Sequence, residues 1–220
     1  MSRRPVVLVF AGGDPPPASV LDDLPTDAYV IAADSGFDHA RRLGIEVDVL
    51  VGDLDSISPE GLDHAGVIEK HPSDKDATDL AIALDAAVRE GAASVFVVGG
   101  GGGRIDHFLA NAALLASAEY QVLSLTWLPG TAAISVVRDR IELSGSPGDL
   151  VSLLPYGGGV GGVTTTGLRW PLHEADLAAG TSRGVSNQMI DRTATVELKQ
   201  GTLLVVRPHD PSATASSTVR

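Results

Sequence analysis

The stretch Ser94-Val95-Phe96-Val97-Val98-Gly99-Gly100-Gly101-Gly102-Gly103-Arg104-Ile105-Asp106-His107 decides the fold class. An apolar run over residues 94–98 halts at five consecutive glycines, and helical spacing then takes over across residues 105–118. Strand, turn and helix in that order make half of a βαβ unit, which implies a parallel sheet. Glycines let the backbone approach a ligand closely, and a helix N-terminus presents unpaired N–H groups to a phosphate. Arg104 adds a planar guanidinium suited to two hydrogen bonds with an oxyanion. Arg104, His107 and Asn111, at i, i+3 and i+7, share one helix face. The run is not a Walker A loop, since no Gly-Lys-Ser/Thr follows, nor a G-x-G-x-x-G fingerprint. The plainer alternative is a loose loop followed by ordinary helix polars.

Outward from this stretch the same rhythm holds. Strands are expected at residues 6–10, 29–33, 47–51, 67–71, 94–98 and 121–126, with helical patterns between them. The clearest helix covers residues 77–90, with Leu80, Leu84, Ala87 and Val88 on one stripe, Asp76 as N-cap and Gly91 just past its end. Beyond about residue 125 strand-like runs recur between Gly, Pro and Ser turns, at 134–137, 140–143, 150–154, 162–166, 193–198 and 202–206. The expected architecture is α/β: a Rossmann-like parallel-sheet domain over residues 1–124, a small all-β sandwich or barrel over 125–210, and a disordered tail over 211–220.

Composition removes whole classes of function. With 16 Lys and Arg against 28 Asp and Glu, the net charge of −12 argues against nucleic acid or an anionic membrane as partner. Zero cysteines exclude disulfides, thiolate metal sites and cysteine nucleophiles. Arg3 and Arg4 ahead of an apolar run imitate a signal peptide, but the run is short and leads into Gly12-Gly13-Asp14-Pro15. No stretch approaches the roughly 20 apolar residues of a membrane span, so a cytoplasmic protein is expected.

Three further clusters carry chemistry. Gly52-Asp53-Leu54-Asp55-Ser56 follows an apolar strand, so Asp53 and Asp55 point to one side of extended chain, an arrangement that suits Mg²⁺. A solvated turn would use the same residues. In Asp74-Lys75-Asp76-Ala77-Thr78-Asp79, Asp76 and Asp79 are three apart and expected on one helix face, where they can serve a metal or simply cap the helix. In the β half, Trp170 offers a π face to a cationic or heteroaromatic ring, or else it is a core residue beside Pro171; Ser186 and Asn187 can be ligand contacts or turn residues. Carboxylate pairs, a glycine loop with Arg104 and the absence of cysteine point together to Mg²⁺-dependent phosphoryl or nucleotidyl transfer.

In this order the clusters resemble the thiamine pyrophosphokinase family. The match runs through Ala11-Gly12-Gly13-Asp14, Ala33-Asp34-Ser35-Gly36, Gly52-Asp53-Leu54-Asp55-Ser56, Asp74-Lys75-Asp76-x-Thr78-Asp79 and Gly102-Gly103-Arg104-x-Asp106-His107. It continues through Gly167-Leu168-Arg169-Trp170-Pro171-Leu172 and Ser182-Arg183-Gly184-Val185-Ser186-Asn187, over about residues 5–207. The resemblance implies an N-terminal catalytic domain, a β domain that helps to hold thiamine, and a homodimer with active sites at the subunit interface. It implies that ATP with Mg²⁺ gives its β,γ-pyrophosphoryl group to thiamine. Asp53, Asp55 and Asp76 would serve the metal, with Asp79 and Arg104 completing the catalytic set. Asp34, Gly102, Gly103, Arg104, Asp106, His107 and Asn111 would bind ATP; Asp79, Trp170, Ser186 and Asn187 would contact thiamine. Ser35 stands where many relatives carry a second glycine, and Lys75 where some carry glutamine. The competing readings are a pyrophosphokinase acting on another heteroaromatic alcohol, such as a pterin, and a non-catalytic thiamine-phosphate-binding regulator.

Overall fold

Runs of Val, Ile and Leu that are apolar at every position, rather than at alternate ones, belong to strands covered on both faces. The computed structural model describes residues 6–52, 67–71 and 76–209. It divides the chain into two units, Met1–Gly130 and Thr131–Arg220. Asp53, Asp55, Asp74, Lys75 and the expected tail over residues 211–220 lie outside the described residues.

The first unit holds six parallel strands: β1 (Val6–Ala11), β2 (Tyr29–Ala33), β3 (Val49–Gly52), β4 (Val67–Lys70), β5 (Ser94–Gly99) and β6 (Ser124–Leu128). Their order across the sheet is β6-β5-β1-β2-β3-β4, every neighbouring pair parallel. Succession runs outward in one direction from β1 to β4 and in the other from β5 to β6, so the reversal falls between β1 and β5. Val7, Val9, Phe10, Ile31, Leu50, Val95 and Val97 are sealed in the core. Among the described residues three α-helices connect the strands: α1 (Gly36–Arg42), α2 (Asp79–Arg89) and α3 (Ile105–Ala116).

The structure corrects several sequence expectations here. Asp76 is not the cap of α2, and it shares no helix face with Asp79. The helix begins at Asp79, and Thr78, in extended backbone, caps it by accepting a hydrogen bond from Ala81 N at Oγ1 (3.3 Å). Asp76 sits exposed in the bend before it. Val88 leaves the apolar stripe for solvent, while Leu80, Ala83, Leu84 and Ala87 are buried. The last parallel strand starts at Ser124, not at 121, because residues 118–120 make a 3-10 turn that buries Tyr120.

In the second unit apolar residues alternate along the strands, the mark of sheets with one covered face. One sheet has the order β12 (Asn187–Gln188), β9 (Leu150–Pro155), β14 (Leu203–Pro208), β7 (Ala132–Val137), all antiparallel. The other has the order β11 (Ala175–Leu177), β10 (Val160–Thr166), β13 (Thr193–Glu197), β8 (Arg140–Ser144), also antiparallel. One core takes Val151, Leu153, Leu203 and Val205 from the first and Val160, Val163, Leu177 and Val196 from the second. This is the arrangement of two sheets packed on a shared core. β11 and β12 are additions to the six strand runs visible in the sequence of this region.

Candidate functional site

Open α/β sheets bind ligands beyond the carboxyl ends of their strands, where the strand order reverses. The backbone there is knitted across the reversal. Gly100 N donates to Gly12 O (2.6 Å), and Asp14 N donates to Gly101 O (2.9 Å). Trp127 of β6 donates its indole N–H to Gly99 O at 2.7 Å, and its ring packs on Phe108 of α3 with centroids 4.7 Å apart. Asn111 of α3 donates from Nδ2 to Gly100 O at 3.0 Å. Behind β1, the buried His39 of α1 places Nδ1 at 3.1 Å from Ala11 O. The glycine run is therefore a fixed turn with four separate hydrogen-bonded anchors, not a loose loop.

A cleft of about 670 Å³ opens on this turn. Its walls come from the ends of β1 (Gly12, Gly13) and β2 (Asp34, Ser35), the start of α2 (Thr78, Asp79, Leu80), and the turn into α3, from Gly100 to Asn111. Of the expected residues, Asp34, Asp79, Gly102, Gly103, Arg104, Asp106, His107 and Asn111 all line it. Asp76 is not among its lining residues. Asp34 holds left-handed backbone (φ 48°), its N–H donating to Val51 O at 3.0 Å. Its carboxylate lies where a Cβ on Gly52 would be, so position 52 admits only glycine.

The first turn of α3 brings Asp106 and His107 to the cleft, at the helix end where intrahelical partners for N–H groups run out. Arg104 stands at its N-cap position without capping the helix through its side chain. The guanidinium instead pairs with Asp106, Nε donating to Oδ1 at 3.1 Å and an Nη to Oδ2. That pairing pulls the Asp106 carboxyl down to about 2, and the carboxylate raises Arg104 in turn. Both side chains are exposed, so an incoming oxyanion can compete for the guanidinium. Among the described residues no three acidic or histidine side chains converge as a metal site. Of the cleft's three carboxylates Asp106 is paired with Arg104; Asp34 and Asp79 add oxygen ligands suited to a hard cation, and Asp53 follows directly on Gly52 in the sequence.

A second, smaller cleft of about 300 Å³ lies in the β unit, walled by Trp170, Pro171, Leu172, Arg183, Gly184, Val185 and Asn187. Trp170 is 54% exposed, which removes the core reading. The Arg169 guanidinium carbon stands 5.2 Å from the Trp170 ring centroid. Ser186, in left-handed backbone (φ 57°), is not among the lining residues; its N–H donates to Ser152 Oγ at 2.9 Å. Sequence reasoning missed Thr78 and Leu80 in the first cleft and Arg183 in the second, although Thr78 and Arg183 sat inside motifs already singled out. His39 and Trp127 carried no local signal, because each acts on a carbonyl 28 residues away.

Two family models match the chain. One describes the thiamin pyrophosphokinase catalytic domain, over residues 23–126, and the other the thiamin pyrophosphokinase vitamin B1 binding domain, over residues 138–203. The thiamine pyrophosphokinase of Bacillus subtilis (strain 168) is 26% identical over 220 residues, covering 92% of this chain and 98% of that protein. Thiamine pyrophosphokinase 1 of Oryza sativa subsp. japonica is 30% identical over 175 residues, covering 70% of this chain and 64% of its own. The crystal structure of the Bacillus subtilis protein superposes with a TM-score of 0.82 at 24% identity, over 93% of this chain and 99% of that one, and shares its fold.

Proposed function

The chain belongs to the thiamin pyrophosphokinase family and is an enzyme of that kind, and from this premise we propose how its residues divide the work. ATP gives its β,γ-pyrophosphoryl group to the hydroxyethyl group of thiamine, yielding thiamine diphosphate and AMP. The thiamine oxygen bonds to the β-phosphorus, the bridging bond between α- and β-phosphates breaks toward AMP, and the hydroxyl proton is released. The observation that carries this reading is the anchored glycine turn at the strand reversal, with Asp79 and Arg104 lining one cleft beside it. Its parallel strand order supports a Rossmann-like reading of the nucleotide half.

ATP would lie along the turn and the α3 N-terminus, its phosphates held by backbone N–H groups of Gly102 and Gly103 and by Arg104 once it exchanges Asp106 for phosphate. Asp34, His107 and Asn111 would shape the rest of the nucleotide site. Asp53, Asp55 and Asp76 would hold Mg²⁺, which when bound neutralises charge on the phosphate oxygens. Asp79 would orient the thiamine hydroxyl or take its proton; a loose phosphoryl transition state asks little of a base. Trp170 and the cleft beside it would receive the thiamine rings, in a homodimer whose active sites lie at the subunit interface. Among the described residues no helix is long and apolar enough to cross a membrane, which suits a cytoplasmic enzyme. Phosphorus NMR of the products from ATP, Mg²⁺ and thiamine tests the reaction. AMP with thiamine diphosphate is expected; ADP with a monophosphate would assign a different kinase.

A further inference from the structure

The ring of Trp170 projects from a segment whose backbone ladder runs out just before it. Ile190 N donates to Gly167 O (2.9 Å), Leu168 bridges Met189, and Arg169 N donates to Gln188 O (2.8 Å). At the next step the opposite chain leaves extended geometry at Ser186, while Pro171 restricts Trp170 from the other side. The Asn187 side chain continues the pairing in place of a peptide group. Its Oδ1 accepts from Trp170 N at 3.1 Å and from Gln188 N at 2.9 Å, and its Nδ2 donates to Trp170 O at 2.8 Å. Three of the amide's four hydrogen-bonding positions are thus committed to backbone. Both polar main-chain groups of Trp170 are held by this one side chain, which is only 3% exposed.

We propose that Asn187 is a positioning residue, a surrogate peptide that fixes Trp170 as the stacking wall of the cleft, and not a donor to the ligand. The proposal rests on reading that cleft as the thiamine pocket, and it changes the role that the sequence suggested for Asn187. Arg169, which lies over the same ring and donates from Nη1 to Gln188 Oε1 at 3.1 Å, helps to hold the indole from one face.

A double-mutant cycle tests it. Asn187→Ala should raise KM for thiamine about tenfold, the scale of lost buried hydrogen bonds, and leave KM for ATP unchanged. In a Trp170→Ala background the same substitution should add nothing, because the group it positions is gone. Independent, additive increases in KM, or an unchanged KM in the single variant, would overturn the proposal. Acrylamide quenching of tryptophan emission in the free protein gives a readout that needs no ligand, since Trp127 is buried and Trp170 is the accessible fluorophore. Asn187→Ala should alter that quenching, and Asn187→Asp, which keeps the acceptor but loses the donor facing Trp170 O, should alter it in the same sense. Should Asn187→Ala not fold, the aspartate variant carries both measurements. Unchanged quenching in variants that fold refutes the positioning role. If instead the thiamine reading fails, wild-type protein shows no thiamine turnover while the change in quenching persists.

Discussion

In the proposed reaction Arg104 carries the heaviest chemical burden of any described side chain. In the free protein it is occupied by Asp106, two residues along, and both side chains are in solvent. Replacing it with alanine removes the one guanidinium lining the cleft among the described residues. Arg104→Ala is expected to lower turnover by about two orders of magnitude or more without loss of fold, as is Asp55→Asn. Steady-state rates beside circular dichroism check both, and near-wild-type turnover would remove either residue from the catalytic set. The ion pair has its own signature. Arg104→Ala should let the Asp106 carboxyl rise from about 2 toward 3.8, followed by carbon NMR of the side chain across acid pH. At this scale the sequence was legible wherever function is local: Asp34, Asp79 and the run from Gly102 to Asn111 lie within contiguous motifs, and the fold brings them to one cleft. It was illegible where a partner is distant. Nothing near Asn187 announces a clamp on a residue 17 positions away, and nothing near Thr78 shows that it, rather than Asp76, is the residue whose extended backbone lets its side chain cap α2.

Elements matter here through the way α1 is fastened to β1. Gly36 lets the helix start touch the end of the strand, where a Cβ would overlap the Phe10 carbonyl. One turn later His39, buried, meets the Ala11 carbonyl just before the turn that lines the cleft. Burial holds the His39 imidazole below its ordinary 6.5, more than its bond to Ala11 raises it, with Arg42 lowering it further and Asp38 and Asp14 opposing. Below 6.5 the unfolded chain therefore binds a proton at this position that the folded chain resists. Stability is complete above that pH and declines as pH falls through it, until the folded imidazole also protonates. His39→Asn should flatten that part of the curve, read as urea midpoints on either side of 6.5. An equal slope in both proteins would assign the acid sensitivity elsewhere. The central parallel strands were readable because they are apolar almost throughout, with β2 placed at the expected residues and β1 and β5 extended by one, whereas β4 (Val67-Ile68-Glu69-Lys70) is largely exposed. The two residues of β12 were not, because their pairing with Leu150 and Val151 is a property of β9.

For the molecule as a whole, the net charge of −12 and the need to hold a triphosphate are compatible if, as proposed, the phosphates are met by backbone N–H groups and one arginine rather than by a basic surface. The helix that provides those groups also exposes Ile105 (71%) and Leu109 (56%) one turn apart, an apolar ridge suited to a second copy of the chain. Light scattering during gel filtration should give twice the chain mass, and a monomer that is active at every concentration would rule out the shared site. In the second unit, β14 lies between β7 and β9, with Leu203 and Val205 inside the core. The strand between β7 and β9 is thus made after both of them, so a nascent chain can assemble its parallel sheet during synthesis while β7 and β9 wait for a partner not yet made. Chaperone dependence in translation, and sensitivity to a stop codon just before Leu203, follow from that order of emergence.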